Sequence, residues 1–158
     1  MSPVKRILVP IDFGSPSSEA LGYAKTLAES LNASLDLLHV VPNPYVTDPV
    51  ETVTAYRRVS PEFFDSLAGD ARTRLDAVLS AEDRTRFKAR SAVKIGDPKV
   101  EIPEYAKAEP IDLIVMATHG RTGLAHLFLG SVAERVVRMA PCPVLTVRAE
   151  EPAEGDGT

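Results

Sequence analysis

Ile111-Asp112-Leu113-Ile114-Val115-Met116-Ala117 is an apolar run rich in β-branched residues, and Thr118-His119-Gly120-Arg121-Thr122-Gly123 follows it directly. Beyond them, Gly130-Ser131-Val132 opens a stretch where Leu129, Val132, Ala133, Val136, Val137 and Ala140 recur at helical spacing. A continuous apolar run of this length fits a strand buried on both faces, as in the interior of a parallel sheet. Strand, small-residue loop and helix in succession make half of a βαβ unit.

The rest of the chain repeats the unit. Ile7-Leu8-Val9-Pro10-Ile11 reads as a first buried strand, with Pro10 at its end, where no ladder donor is needed. Ser15-Pro16 reads as an N-cap followed by proline in the first helical turn. Ala20, Leu21, Ala24, Leu27, Ala28 and Leu31 then form an apolar stripe, which Asn32 is expected to end. Residues 34–41 read as the second strand, and residues 42–59, with Pro42, Pro44 and Pro49, as a long functional or mobile loop. Ser60-Pro61 repeats the cap-then-proline signature before a face of Phe64, Leu67, Ala68, Ala71, Leu75, Val78 and Leu79. Residues 88–95 read as a third strand near an edge, because charged positions alternate along it. Asp97-Pro98 opens a further helix that either starts late or kinks at Pro103. Pro143-Val144-Leu145-Thr146-Val147 is the last strand. The alternation predicts a doubly wound, five-stranded parallel sheet with helices on both faces. Residues 1–149 read as one domain and 150–158 as a disordered acidic tail.

Composition narrows the function classes. The chain of 158 residues carries 18 Lys and Arg against 22 Asp and Glu, a net charge of -4 that argues against a strongly basic nucleic-acid binder. No apolar run is long enough to span a membrane, and the N-terminus shows no cleavage-site pattern, so an intracellular, cytoplasmic protein is expected. The single cysteine, Cys142, excludes an intrachain disulfide and an all-cysteine metal cage; it is expected to be buried and inert. His39, His119 and His126 match no zinc spacing, and no nucleophile with a neighbouring base is visible.

In a doubly wound sheet, ligands sit beyond the carboxyl ends of the strands where the strand order reverses. Two connections there stand out: the one carrying Asp12, and the one from Ala117 to Ser131. Glycine allows close backbone approach, and free N–H groups at a helix start favour anions, so Gly130-Ser131 has the make-up of a phosphate cradle with Arg121 as a mobile cation at its rim. The same glycines also serve turns and helix–sheet packing, and Ser131 also serves as an N-cap; spacing alone does not separate these readings. The loop is not a P-loop, since no Gly-Lys-Ser/Thr occurs, and it follows the fourth strand, unlike the dinucleotide fingerprint.

The segments Ile114 to Leu124, Leu129-Gly130-Ser131-Val132-Ala133-Glu134 and Cys142-Pro143-Val144-Leu145 resemble the universal stress protein family of the UspA type. So do Ile7 to Phe13 and Leu37-Leu38-His39-Val40, and the resemblance spans residues 3–148. It implies a Rossmann-like fold of the adenine nucleotide alpha hydrolase type, shared with adenylate-forming proteins. The ATP-binding branch of that family carries a glycine, two residues, a second glycine, nine residues, then glycine and serine or threonine. Gly120, Gly130 and Ser131 match; Ala117 stands where the first glycine would be.

By that resemblance, the backbone around Gly120, Gly130, Ser131 and Val132 holds phosphates. Asp12 lines the nucleoside end beside Pro10 and Ile11. Val40 offers backbone hydrogen bonds to adenine, and Met116, Ala117 and His119 border the pocket. The resemblance further implies ATP with Mg²⁺ or Mn²⁺ and a homodimer through Pro143 to Val147. A nucleotide-sensing regulatory protein is the leading expectation. The rivals are a slow ATPase or adenylyl-transferring enzyme, and a dimerisation module without nucleotide. The downstream protein partner is not readable from the residues.

Overall fold

The computed structural model describes residues 2–43, 60–119 and 129–150. Strands β1 (Arg6–Pro10), β2 (Ser34–Pro42), β3 (Arg90–Gly96), β4 (Leu113–Ala117) and β5 (Val144–Val147) form one parallel sheet in the order β3-β2-β1-β4-β5. Between them run helices α1 (Ser15–Leu31), α2 (Pro61–Asp76), α3 (Ala81–Arg86), α4 (Pro98–Ala108) and α5 (Ser131–Met139). Strand order reverses between β1 and β4, so these adjacent strands send their chains to opposite sides and leave a crevice above their carboxyl ends.

Alternation along the strands divides the core. Ile7, Val9, Leu35, Leu37 and Val115 point to the face covered by α1 and α2. Leu8, Leu38, Val40, Ile114 and Met116 point to the face covered by α4 and α5. Both faces are dry, which is why β1, β2 and β4 lack the polar alternation of a half-exposed strand. β3 lies at one edge, as its charged positions predict.

Several boundaries differ from the sequence reading, each for a local reason. β3 begins at Arg90, not 88, because Lys88 turns left-handed with φ 47°. β4 begins at Leu113 because Asp112 is diverted: its carboxylate accepts from the backbone N–H groups of Lys5 (2.8 Å) and Arg6 (3.0 Å). The N-cap of α1 is Gly14, one residue earlier than the predicted Ser15. Its end is as expected, with Asn32 left-handed at φ 52°. α4 does not start late; it starts at Pro98, capped by Asp97 accepting from Lys99 N–H (3.0 Å), and keeps Pro103 inside it. Ser131 is the first residue of α5 and Gly130 its N-cap, which removes the simple N-cap reading of the serine. Val137, expected on the apolar face of α5, is 47% exposed.

At the amino ends of the strands sits a buried acid that the strand pattern concealed. Asp36 in β2 is fully buried. Its carboxylate accepts from Arg6 Nε (2.9 Å) and Nη2 (2.6 Å) on β1, Tyr105 Oη (2.7 Å) on α4, and Arg90 (3.3 Å) on β3. Glu109 pairs with both arginines. Burial opposes the charge of Arg6, but the hydrogen bonds and Coulomb attraction of Asp36 outweigh it and hold the guanidinium above its ordinary value. Burial pushes the Tyr105 hydroxyl up as well, and its bond to Asp36 adds to the shift.

Candidate functional site

A cavity of about 630 Å³ opens above the carboxyl ends of β1, β2 and β4, at the reversal of strand order. Pro10, Ile11 and Asp12 line it from β1 and the turn beyond, Val40 from β2, and Met116, Ala117 and His119 from β4 and its loop. Gly130, Ser131 and Val132 close it from the start of α5. These are the residues singled out from the sequence. Gly120, Arg121 and His126 lie outside the described residues.

The turn after β1 is pinned. Gly14 N–H donates to Asp12 Oδ1 (2.8 Å), Asp12 N–H to Ser17 Oγ (3.4 Å), and Ser17 Oγ to Gly14 O (3.1 Å). An aspartate that bonds two residues ahead fixes its own carboxylate against the backbone, and here it does so at the cavity wall. His39 ties β2 into this turn: Nδ1 lies 2.7 Å from Ile11 O, and a carbonyl only accepts, so Nδ1 carries the hydrogen. His39 lies within β2 and lines the cavity.

On the far side, α5 meets the loop closely. Gly130 N–H donates to Thr118 O at 2.6 Å, and Glu134 N–H donates to Gly130 O at 2.9 Å as the helix starts. A Cβ on Gly130 would stand 3.2 Å from Thr118 O and 3.5 Å from His119 Cα. With φ at -67°, Gly130 does not need a left-handed backbone; it is needed because the two chains approach so closely. Ala117 answers the opposite question. It is the last residue of β4, paired with Val147, with no positive φ, so glycine's freedom is not required there.

Between these elements, His119 is left half-satisfied. Thr118 Oγ1 lies 3.1 Å from its Nδ1, but its Nε2 is buried and has no hydrogen-bond partner among the described residues. Beside it, the first-turn N–H groups of α5 have no acceptor within the helix. The site therefore presents unused hydrogen-bonding capacity and the positive end of a helix dipole to an otherwise mostly apolar chamber.

The residues that sequence reasoning missed are Phe13, Ser17, Thr118 and Arg74 as cavity walls, with Leu38, Pro42, Pro98, Ile102 and Ala133 as apolar lining. Phe13, Ser17 and Thr118 sit beside motif positions and could have been flagged by proximity. Arg74, from the middle of the chain, gives no such signal. Among the described residues no group of three or more His, Cys, Asp or Glu side chains is placed to hold a metal. Cys142 is half-buried, and burial pushes its thiol up, with the charge of Asp112 adding to the shift. No described helix is long and apolar enough to cross a membrane.

Comparison with known proteins agrees with this architecture. The sequence model of the universal stress protein family matches residues 3–148. Universal stress protein MJ0531 of Methanocaldococcus jannaschii is 35% identical over 145 residues, spanning 91% of this chain and 82% of that protein. The solved structure of MJ0577, a protein whose biochemical function was assigned from its structure, superposes with a TM-score of 0.78 at 28% identity, covering 96% of this chain and 100% of that one. Two more distant structures, known here for fold alone, are a universal stress protein in complex with cAMP (TM-score 0.59, 22% identity, 94% and 100% covered) and an Arabidopsis thaliana family member with AMP bound (TM-score 0.61, 20% identity, 95% and 97% covered). The length, order and register of the match leave one assignment, and the chain belongs to the universal stress protein family.

Proposed function

We propose that the cavity binds an adenine nucleotide, ATP in the first instance, and that the protein acts as a nucleotide-sensing regulator of the stress response. The observation that carries this reading is the buried Nε2 of His119, without a partner among the described residues, beside the N-terminus of α5. A buried polar atom without a partner costs about 1–3 kcal/mol, and a bound phosphate or ribose oxygen would remove that cost. The α5 N-terminus supplies N–H donors and a favourable dipole for phosphates, and Gly130 keeps the loop close enough for them to be reached. Asp12 and Val40 both line the cavity; in this reading Asp12 bonds the ribose and the Val40 backbone meets the adenine edge. Leu38, Met116 and Ile102 offer apolar surface to the base.

The donor set also bears on the metal. Asp12 is the carboxylate among the described lining residues. One carboxylate suits a Mg²⁺ or Mn²⁺ ion that arrives on nucleotide phosphates and keeps most of its waters, and does not suit an all-protein cage. Such an ion would neutralise phosphate charge, with Asp12 anchoring it. Isothermal titration calorimetry with ATP and Mg²⁺ tests the reading. Saturable binding below millimolar ATP is expected, and folded protein that gives no binding heat at millimolar ATP would overturn it.

Dimerisation through β5 belongs to the same proposal. β5 ends the sheet, and Leu145 on it (39% exposed), with Val137 (47%) and Met139 (40%) on α5, leaves apolar side chains exposed. An open parallel edge with apolar side chains is a liability that pairing with a second copy removes. Light scattering is expected to give twice the chain mass; a monomer at high concentration would contradict it.

A further inference from the structure

Arg74 reaches the cavity from α2, on the face of the sheet opposite α5, and belongs to no motif of the nucleotide site. Its guanidinium carbon stands 4.1 Å from the centroid of the Phe13 ring. Phe13 in turn packs on His39, centroids 4.5 Å apart, and His39 is tied to Ile11 O. Phe13 holds a left-handed backbone at φ 65°, a conformation a bulky residue keeps only where its surroundings impose it. The stack of His39, Phe13 and Arg74 thus places a cation at the cavity from a fixed base.

What this cation does not do is equally informative. The nearby arginines Arg72 and Arg84 both pair with Asp76. Arg74 pairs with no described carboxylate, and it is the arginine among the described residues that line the cavity. A guanidinium lying on an aromatic face keeps its N–H edge available, and that edge matches phosphate oxygens two at a time.

We propose that Arg74 binds the phosphate tail of the nucleotide and makes the cavity discriminate between ligands by their charge. The inference rests on the nucleotide reading above. A tail seated at the α5 N-terminus meets neutral N–H donors from one face of the sheet; Arg74 adds a full positive charge from the other. The contribution grows with the charge and length of the tail, so triphosphate gains more than monophosphate, and an uncharged nucleoside gains nothing.

Calorimetric titration of ATP, AMP and adenosine into the wild type, Arg74→Gln and Arg74→Lys, at low and high salt, tests this. Arg74→Gln is expected to weaken ATP about tenfold, AMP less, and adenosine not at all, with a flatter salt dependence for ATP. Arg74→Lys recovers part of the loss. Unchanged adenosine affinity also reports that the variant cavity remains folded. Equal loss for all three ligands, or no loss for any, overturns the role of Arg74 alone. A wild type that binds no ATP overturns the nucleotide reading together with it.

Discussion

The two ends of the sheet handle polar groups in opposite ways. At the amino ends, Asp36 is fully buried, yet its carboxylate meets Arg6, Arg90 and Tyr105, and Glu109 closes the arginines from outside. At the carboxyl ends, His119 buries a ring nitrogen that meets no partner among the described residues, and the first residues of α5 line a cavity. Both arrangements are costly to build. Asp36 recovers the cost within the chain, and its cluster locks β1, β2, β3 and α4 into register. Among the described residues nothing does the same for His119, and on the proposed reading a ligand completes it. On the proposed reading, one end serves stability and the other a ligand.

The largest effect is expected from breaking the satisfied end. Asp36→Ala strands the partly buried Tyr105 hydroxyl and leaves Arg6 with Glu109 as its remaining acid partner, and should cost about 3 kcal/mol of stability, read by urea denaturation. ATP affinity of the remaining folded protein should be unchanged, since the cluster lies at the opposite end of the strands. A large loss of affinity in folded protein would show that the two ends are not separate.

Gly130→Glu acts at the other end. Its Cβ crowds Thr118 O, and its carboxylate sits where phosphate charge is proposed to bind. ATP binding should weaken about 100-fold, or about 2.7 kcal/mol, with a smaller fall in thermal midpoint. His119→Phe sharpens the contrast further with the smallest change. It removes the unpartnered nitrogen, so apo stability should hold or rise by about 1 kcal/mol while ATP affinity falls about tenfold. A variant that loses stability and keeps affinity would mean that the nitrogen has a structural partner and no ligand.

How far these differences could be read in the sequence depends on the range of the interactions. β1, β2 and β4 were legible because a strand buried on both faces has a local signature, and β5 as a short apolar run. α3 was not, because Ala81 to Arg86 carries no apolar stripe; Lys25 pairs with Asp83 and Glu29 with Arg86 to pin the helix against α1. Asp36 was passed over as one polar residue inside a strand, since its partners lie 30, 54 and 69 residues away. At the cavity, the glycine-serine spacing and the acid after β1 pointed to elements that the fold does bring together. Sequence left open why Gly130 is glycine, and the 3.2 Å approach of Thr118 O decides it. The left-handed turn at Phe13 and the arrival of Arg74 from α2 are consequences of packing and have no local sign.

The central claim is that the unmet capacity at the carboxyl end is completed by a nucleotide. Nitrogen NMR of the imidazole side chains during titration with ATP and Mg²⁺ tests it most directly, with the tyrosine signal of Tyr105 followed in the same sample. The His119 Nε2 resonance should move saturably into the range of a hydrogen-bonded nitrogen while Tyr105 stays where it was. A His119 signal unmoved at saturating ATP, or a shift confined to the Asp36 cluster, would contradict the account.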